Sequence, residues 1–262
     1  MLLRSFIPAA VDRAPVRIDD INVETLTLEE TADAFVAYCR SQHRARADRP
    51  LLSTSVNGQV LSLCDADAEV AAKFAAFDSV SVDGQPLVMM SRLLARSAFP
   101  ERVATTDLFP LVARRAAAER LSFYILGGSA RANARAVAAA HRDFPGLNFV
   151  GSRDGYFRRD EEAGVTAVIA ALKPDILWVS LGAPLEQDFC LRNASALRGV
   201  GIVKTSGGLV DFIAGDKPRA PAWMQKIGLE WAFRLAKEPR RLFLRYALTN
   251  PHAMLVMMRA MR

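Results

Sequence analysis

Asp83 stands directly before Gly84 and after a β-prone segment, so its carboxylate falls where a strand ends beside open backbone. A carboxylate there can act as general base on a hydroxyl, or it can cap a helix or turn. Three further polar clusters follow β-prone runs in the same way: Ser55-Val56-Asn57, Gly127-Gly128-Ser129, and Ser206-Gly207-Gly208 with Asp211 just after. In open α/β sheets ligands bind beyond the carboxyl ends of the strands, so the four clusters should converge on one rim. Gly127-Gly128-Ser129 joins a strand to an alanine-rich helix, and helix N-termini attract phosphate. It lacks the third glycine of a dinucleotide fingerprint, so NAD is weakly supported and a tight turn competes.

Other polar groupings are less telling. Asp65-Ala66-Asp67 has the DxD spacing that holds a metal in many nucleotide-sugar transferases. It also sits where a helix should begin, and acidic residues in a first turn meet the helix dipole favourably. His43, His141 and His252 are far apart in sequence, without ligand spacing, and suit solvated helix positions. No GxSxG elbow, HExxH or P-loop appears. Arg234, Arg241 and Arg245 fall at helix-like offsets, with Trp231, Leu235, Leu242 and Phe243 on an apolar side. Pro239 between them can start a new helix, so the stripe need not be continuous. A solvated face over a docked helix and a lid whose cations meet phosphate both fit.

The elements that must position these groups alternate. Thr27–Gln42 opens with a capping-box pattern (Thr27, Glu30) and reads as a helix. Strands are expected at 51–56, 79–82, 122–126, 148–150, 176–181 and 202–205. Helices are expected at 65–77, 86–97, 107–120, to about 144, 160–172 and 185–197. Short strands separated by longer helices indicate βα units and a parallel sheet. The fold class is therefore α/β, a Rossmann-like parallel sheet with helices on both faces. Beyond Gly215 only helices are expected, punctuated by Pro218, Pro221, Pro239 and Pro251, each suited to the first turn of a new helix. The division is a core over residues 1–215 and a short helical appendage over 216–262.

The chain has 262 residues, 51% hydrophobic and 24% charged, which excludes wholesale disorder and collagen-like repeats. Three scattered cysteines (Cys39, Cys64, Cys190) suggest a reducing compartment and free buried thiols, not zinc. No apolar run approaches a membrane span, and the first residues make a poor signal peptide. A cytoplasmic location is expected. From Lys217 to Arg262 ten Lys/Arg meet two Glu, a net of +8, while the preceding 216 residues carry 24 Lys/Arg and 26 Asp/Glu. A near-neutral body thus ends in a basic tail suited to phosphate or an anionic membrane surface. The tail has apolar content fit for packing and no nucleic-acid reading motif, so nucleic acid is not expected as a partner.

One stretch carries a specific resemblance. Phe212-Ile-Ala-Gly-Asp-Lys-Pro-Arg-Ala-Pro-Ala-Trp-Met-Gln-Lys-Ile-Gly-Leu-Glu-Trp231, followed by Arg234-Leu235, Glu238-Pro-Arg-Arg-Leu242 and Arg245-Tyr246, resembles the signature of the WecG/TagA/CpsF glycosyltransferases, glycosyltransferase family 26. Asp83-Gly84, Pro100-Glu-Arg-Val103 with Asp107-Leu108, Leu126-Gly-Gly128, Gly155-Tyr-Phe157 and Asp211-Phe212 agree, so the likeness runs from about Ile18 to Pro251. It implies an inverting, metal-independent transferase without a cofactor. The donor would be a UDP-sugar carrying N-acetylmannosamine, its uronic acid or glucose. The acceptor would be a polyprenyl-diphosphate-linked sugar, met at the inner face of the cell membrane during cell-surface polysaccharide assembly. It implies Asp83 as catalytic base, with Ser55, Asn57, Arg102, Gly127, Gly128, Gln187 and Asp211 at the donor. Arg219, Arg234 and Arg241 would reach the acceptor diphosphate.

Two segments depart from that resemblance. The usual Gly-x-Pro-Lys-Gln-Glu is here Gly182-Ala-Pro-Leu-Glu-Gln-Asp188. Counting back from Asp211 places Gln187 on the family Gln, whereas aligning on Pro184 places Glu186 there. Val203-Lys-Thr-Ser-Gly-Gly208 likewise replaces a more glycine- and alanine-rich stretch. A non-catalytic UDP-sugar sensor or scaffold on the same fold is the alternative function, and a homo-oligomer and a monomer are both compatible with the sequence.

Overall fold

The structure, a computed structural model, describes residues 2–6, 13–41, 47–94, 98–226 and 229–260. Its centre is a six-stranded parallel sheet of β3 (Leu51–Val56), β4 (Ser79–Val82), β5 (Ser122–Gly127), β6 (Asn148–Arg153), β7 (Ile176–Ser180) and β8 (Ile202–Thr205). The strand order is β4-β3-β8-β7-β5-β6. This is the expected Rossmann-like α/β arrangement with a C-terminal helical segment. A small antiparallel hairpin, β1 (Val16–Ile18) and β2 (Ile21–Val23), precedes it and was not foreseen.

Period-two alternation along the strands feeds two cores. Tyr124, Leu126, Leu177, Val179 and Val203 pack on one face, and Phe123, Ile125, Ile176, Trp178 and Ile202 on the other. The second face is covered by α1 (Leu28–Arg40), α5 (Thr105–Ala118), α6 (Ala130–Asp143) and the short α9 (Leu209–Ile213). Its centre is aromatic, with Phe109 and Trp178 edge-to-face at 5.1 Å between ring centroids. A buried side chain of this size contributes about 1.5–3 kcal/mol. Thr27 and Glu30 form the expected capping box at the start of α1.

The first face is covered by α2 (Gly58–Ala66), α3 (Ala68–Ala75), α4 (Gln85–Leu94), α7 (Glu162–Leu172) and α8 (Leu185–Asn193). The expected single helix from Asp65 is two helices. Asp67 is the residue that caps, accepting from the Glu69 and Val70 N–H groups, while Asp65 lies inside α2. The C-terminal segment holds α10 (Ala222–Lys226), α11 (Glu230–Lys237) and α12 (Pro239–Ala260). Pro221 and Pro239 sit at helix starts as expected, whereas α12 runs straight through Pro251. Ala253, Val256 and Met257 of α12 are buried in the first core, and that docking holds the helix together across the proline. None of the three cysteines is in a disulfide; Cys39 and Cys190 are buried and Cys64 partly so. Burial pushes the Cys64 thiol up to about 12.

Candidate functional site

Two cavities open at the carboxyl ends of the strands. They share the rim formed by Gly182, Gly207 and Gly208, which follow β7 and β8. The expected convergence holds, divided between two chambers.

The smaller cavity, about 460 Å³, gathers most of the anticipated residues: Ser55, Asn57, Asp83, Arg102, Gln187 and Arg234. β3 delivers Ser55, and Asn57 follows at the N-cap of α2, where its side chain accepts from the Val60 N–H. Asp83 follows β4 and accepts a long 3.4 Å hydrogen bond from the Thr105 N–H. Gln187 is 1% exposed on α8 and donates to Thr54 Oγ1 at 3.0 Å. Thr54 Oγ1 in turn meets Thr205 Oγ1 at 2.8 Å, so a polar seam crosses the strand ends. Arg234 lines the cavity and lies over the Phe212 ring, 5.4 Å from its centroid.

Burial pushes the Asp83 carboxyl up from its ordinary range. The Arg102 charge, the Thr105 N–H and the Lys204 charge oppose this, while Asp107 adds to it. Such a carboxyl keeps its proton to higher pH than an exposed one. Arg102 is itself shared between Asp107 (3.1 Å) and Glu230 (3.0 Å). Arg219 bonds the same two carboxylates, reaching Glu230 at 3.2 Å, and lies behind the cavity wall. Burial would raise the Glu230 carboxyl, but the two guanidinium groups outweigh it and hold the group low. This four-membered network ties α11 to the start of α5.

The larger cavity, about 810 Å³, is reached over Gly128, Gly155 and Tyr156, with Asp211 and the Arg159–Glu162–Arg192 cluster in its wall. Gly127 has φ +135°, and a Cβ there would lie 2.2 Å from the Ser180 carbonyl oxygen. Only glycine lets β5 and β7 run this close at their ends. Ser129 caps α6 through the Ala132 N–H, leaving the start of the helix beside the cavity. Tyr156 is 83% exposed, an aromatic face offered to solvent. Asp211 pairs with Lys217 at 2.6 Å. Glu162 is bound by Arg159, Arg192 and Asn193. Their hydrogen bonds outweigh its burial and bring its carboxyl down to about 2.

Gly127 lies beside the larger cavity and Arg219 behind the smaller one. Arg241 belongs to α12 and its side chain, like that of Arg245, lies outside the described residues. The DxD pair points apart: Asp67 caps α3, and Asp65 accepts from Arg259 (2.6 Å) and meets His252 Nε2 (2.7 Å). His252 is therefore not a bare solvated residue, since its Nδ1 also meets Ser62 Oγ at 2.8 Å. His141 packs its ring on Phe149, and His43 is outside the described residues. Among the described residues no three His, Cys, Asp or Glu side chains gather in a group that could hold a metal ion. Sequence reading missed Lys204 and Glu230, whose partners come from distant segments. Glu230 lies in the stretch that carries the family resemblance and Lys204 in one that departs from it, but neither is given a role there.

The fold and its strand-end cavities define a Rossmann-like enzyme with two adjoining chambers, one holding the part-buried carboxylate of Asp83 and the other a glycine turn at a helix start. The chain belongs to the Glycosyl transferase WecG/TagA/CpsF family, whose model matches residues 16–262. It is a glycosyltransferase.

Proposed function

We propose that this glycosyltransferase inverts configuration at the anomeric carbon of a UDP-sugar and delivers the sugar to a polyprenyl-diphosphate-linked acceptor, without a metal. The carrying observation is the pair of cavities sharing one glycine rim, with Asp83 in the smaller chamber alone. The nucleotide occupies the larger chamber, its diphosphate near Gly128 and the start of α6. The sugar crosses the rim, and the acceptor hydroxyl approaches beside Asp83. Asp83 takes the hydroxyl proton as the oxygen attacks the anomeric carbon, and UDP leaves with the bonding electron pair. Negative charge grows on the leaving diphosphate, where guanidinium groups can stabilise it. Arg159 and Arg192 line the larger chamber for that role. Arg102 and Arg234 in the smaller chamber face the sugar and the acceptor diphosphate, and Arg102 must trade part of its carboxylate pairing to do so.

Metal independence is supported by the prior engagements of Asp65 and Asp67. A membrane-surface acceptor is supported by the basic C-terminal segment, which also exposes Trp223, Phe243, Leu244 and Leu248. No helix among the described residues is long and apolar enough to cross a membrane. On this reading the enzyme works as a peripheral protein on the inner leaflet, and the same apolar patch can pair copies of the chain. The N-acetylmannosamine, uronic acid and glucose donors are told apart by assay. UDP release is measured with each UDP-sugar and a short-chain prenyl-diphosphate-GlcNAc acceptor, with and without EDTA. Acceptor-dependent release that survives EDTA is expected, and Asp83→Asn should lower kcat by about 10²–10⁴-fold, the range for one general base. A fully active Asp83→Asn enzyme removes the base, and release abolished by EDTA removes metal independence. Donor binding without acceptor-dependent release would instead fit a sensor.

A further inference from the structure

Lys204 has no evident reason to be where it is. It lies in β8, in the middle of the sheet, 0% exposed. A buried ammonium is costly unless charges and hydrogen bonds compensate it. Its Nζ donates to Ser55 Oγ at 2.7 Å, and Ser55 Oγ meets Ser81 Oγ at 2.9 Å. The chain of contacts thus runs from β8 across β3 to β4, two residues short of Asp83. The ammonium is fixed by a neutral hydroxyl, whereas Arg102, the other cation facing Asp83, is committed to Asp107 and Glu230.

Glu186 is the second unexplained charge. It is 4% exposed at the start of α8, and its Oε2 accepts from the Gly207 N–H at 2.9 Å and the Gly182 N–H at 3.2 Å. It therefore pins the two glycine turns that form the rim between the cavities. Lys204 and Glu186 fall in the two segments where the chain departs from the family resemblance, and the fold brings those departures under one chamber.

We propose that Lys204 and Glu186 are positioning residues that set the ionisation of Asp83 in opposite directions, Lys204 favouring its carboxylate form and Glu186 tempering that pull by sharing the ammonium. This rests on the reading of Asp83 as base. The groups facing Asp83 are Arg102, Asp107 and Lys204; those facing Lys204 are Asp83, Glu186 and the Cys190 thiol. Burial brings the Lys204 ammonium down to about 8, partly offset by Asp83, Glu186 and Cys190. Burial raises Glu186, opposed by the Gly207 N–H, Lys204 and the Gly182 and Leu181 N–H groups. At neutral pH the ammonium is mostly charged and works on both carboxylates.

The test is the pH profile of kcat for acceptor-dependent UDP release by the full chain, read on its acid side. Lys204→Met should move the acid limb to higher pH by about one unit or more, a tenfold loss of rate below the limb. Glu186→Gln should move it to lower pH, and the double variant should lie between the single ones. Donor KM should change less than the limb, and Lys204→Arg should restore much of the profile. A folded Lys204→Met enzyme with an unmoved limb overturns the proposal, as do two single variants that shift the limb the same way. Where Lys204→Met fails to fold, Glu186→Gln decides alone: a downward shift supports the proposal, and an unmoved or upward limb overturns it. Asp83→Asn separates the two layers. Turnover retained in that variant overturns the base reading and this inference with it. An inactive Asp83→Asn beside unmoved limbs in the other variants overturns this inference alone.

Discussion

Replacing Glu162 by glutamine perturbs a carboxylate that bridges α7 to α8 in the wall of the larger cavity. Burial alone would raise this group, yet hydrogen bonds from Arg192, Asn193 and Arg159 bring it from 4.5 down to about 2. A folded value below the unfolded one stabilises the protein above the unfolded value, and that contribution is lost as pH falls through the folded one. The window is therefore pH 4.5 to about 2. At 1.36 kcal/mol per unit the shift corresponds to about 3 kcal/mol at neutral pH. Glu162 is only 11% exposed, but its partners Arg159 and Arg192 are 65% and 40% exposed, so solvent screening reduces the figure. A loss of about 1–3 kcal/mol is expected for Glu162→Gln. Urea unfolding of both proteins at pH 7, and at steps below pH 4.5, measures it. The gap between them should be widest at pH 7 and should narrow with acid. A gap independent of pH would show that packing, not charge, supplies the stabilisation, and the electrostatic account would fail.

Two further substitutions test other parts of the site. Gly127→Ala drives a Cβ to within 2.2 Å of the Ser180 carbonyl oxygen and should cost about 1–3 kcal/mol, with weaker UDP binding by calorimetry. A variant of unchanged melting temperature and UDP affinity would mean that β5 and β7 separate freely. Asp65→Ala removes the partner of His252 and Arg259 and should destabilise by about 1 kcal/mol while leaving turnover insensitive to EDTA. A loss of turnover restored by added divalent metal would return Asp65 to the chemistry.

What was legible in the sequence followed from local patterns. β3, β4 and β8 occupy the expected residues because each is a short β-prone run bounded by turn chemistry. α2 was missed because Asn57 groups with Ser55 as a strand-end polar cluster, although Asn57 serves as the N-cap that starts the helix. The β1–β2 hairpin was missed because its turn, Asp19-Asp20, has no glycine, and Asp19 itself takes φ +49°. Pro251 was expected to start a helix, since nothing local shows that Ala253, Val256 and Met257 dock into a core made by residues far upstream. Arg102 and Gln187 were expected only from the family resemblance, whereas the gathering of Asp83, Ser55 and Asn57 was legible because strand ends share a rim in any parallel sheet. Their pairing was not. Arg102 meets Glu230 across 128 positions, and Lys204 meets Ser55 across 149.

The rim between the chambers shows why glycine recurs where a transferase needs continuity. Gly182 and Gly207 have φ +80° and +55°, and a Cβ built on either meets nothing within 4 Å. Neither is excluded by crowding, unlike Gly127, so two causes remain: the left-handed backbone and the open space itself. Both turns are held by one carboxylate, since Glu186 accepts their N–H groups. A side chain at either position would project into open space at the rim that the two chambers share, which on the proposed reading is where the sugar crosses. Glu186 thus holds the passage open at its backbone while its charge bears on Lys204. On the proposed reading, the geometry of the rim and the ionisation of Asp83 are coupled through a single buried side chain.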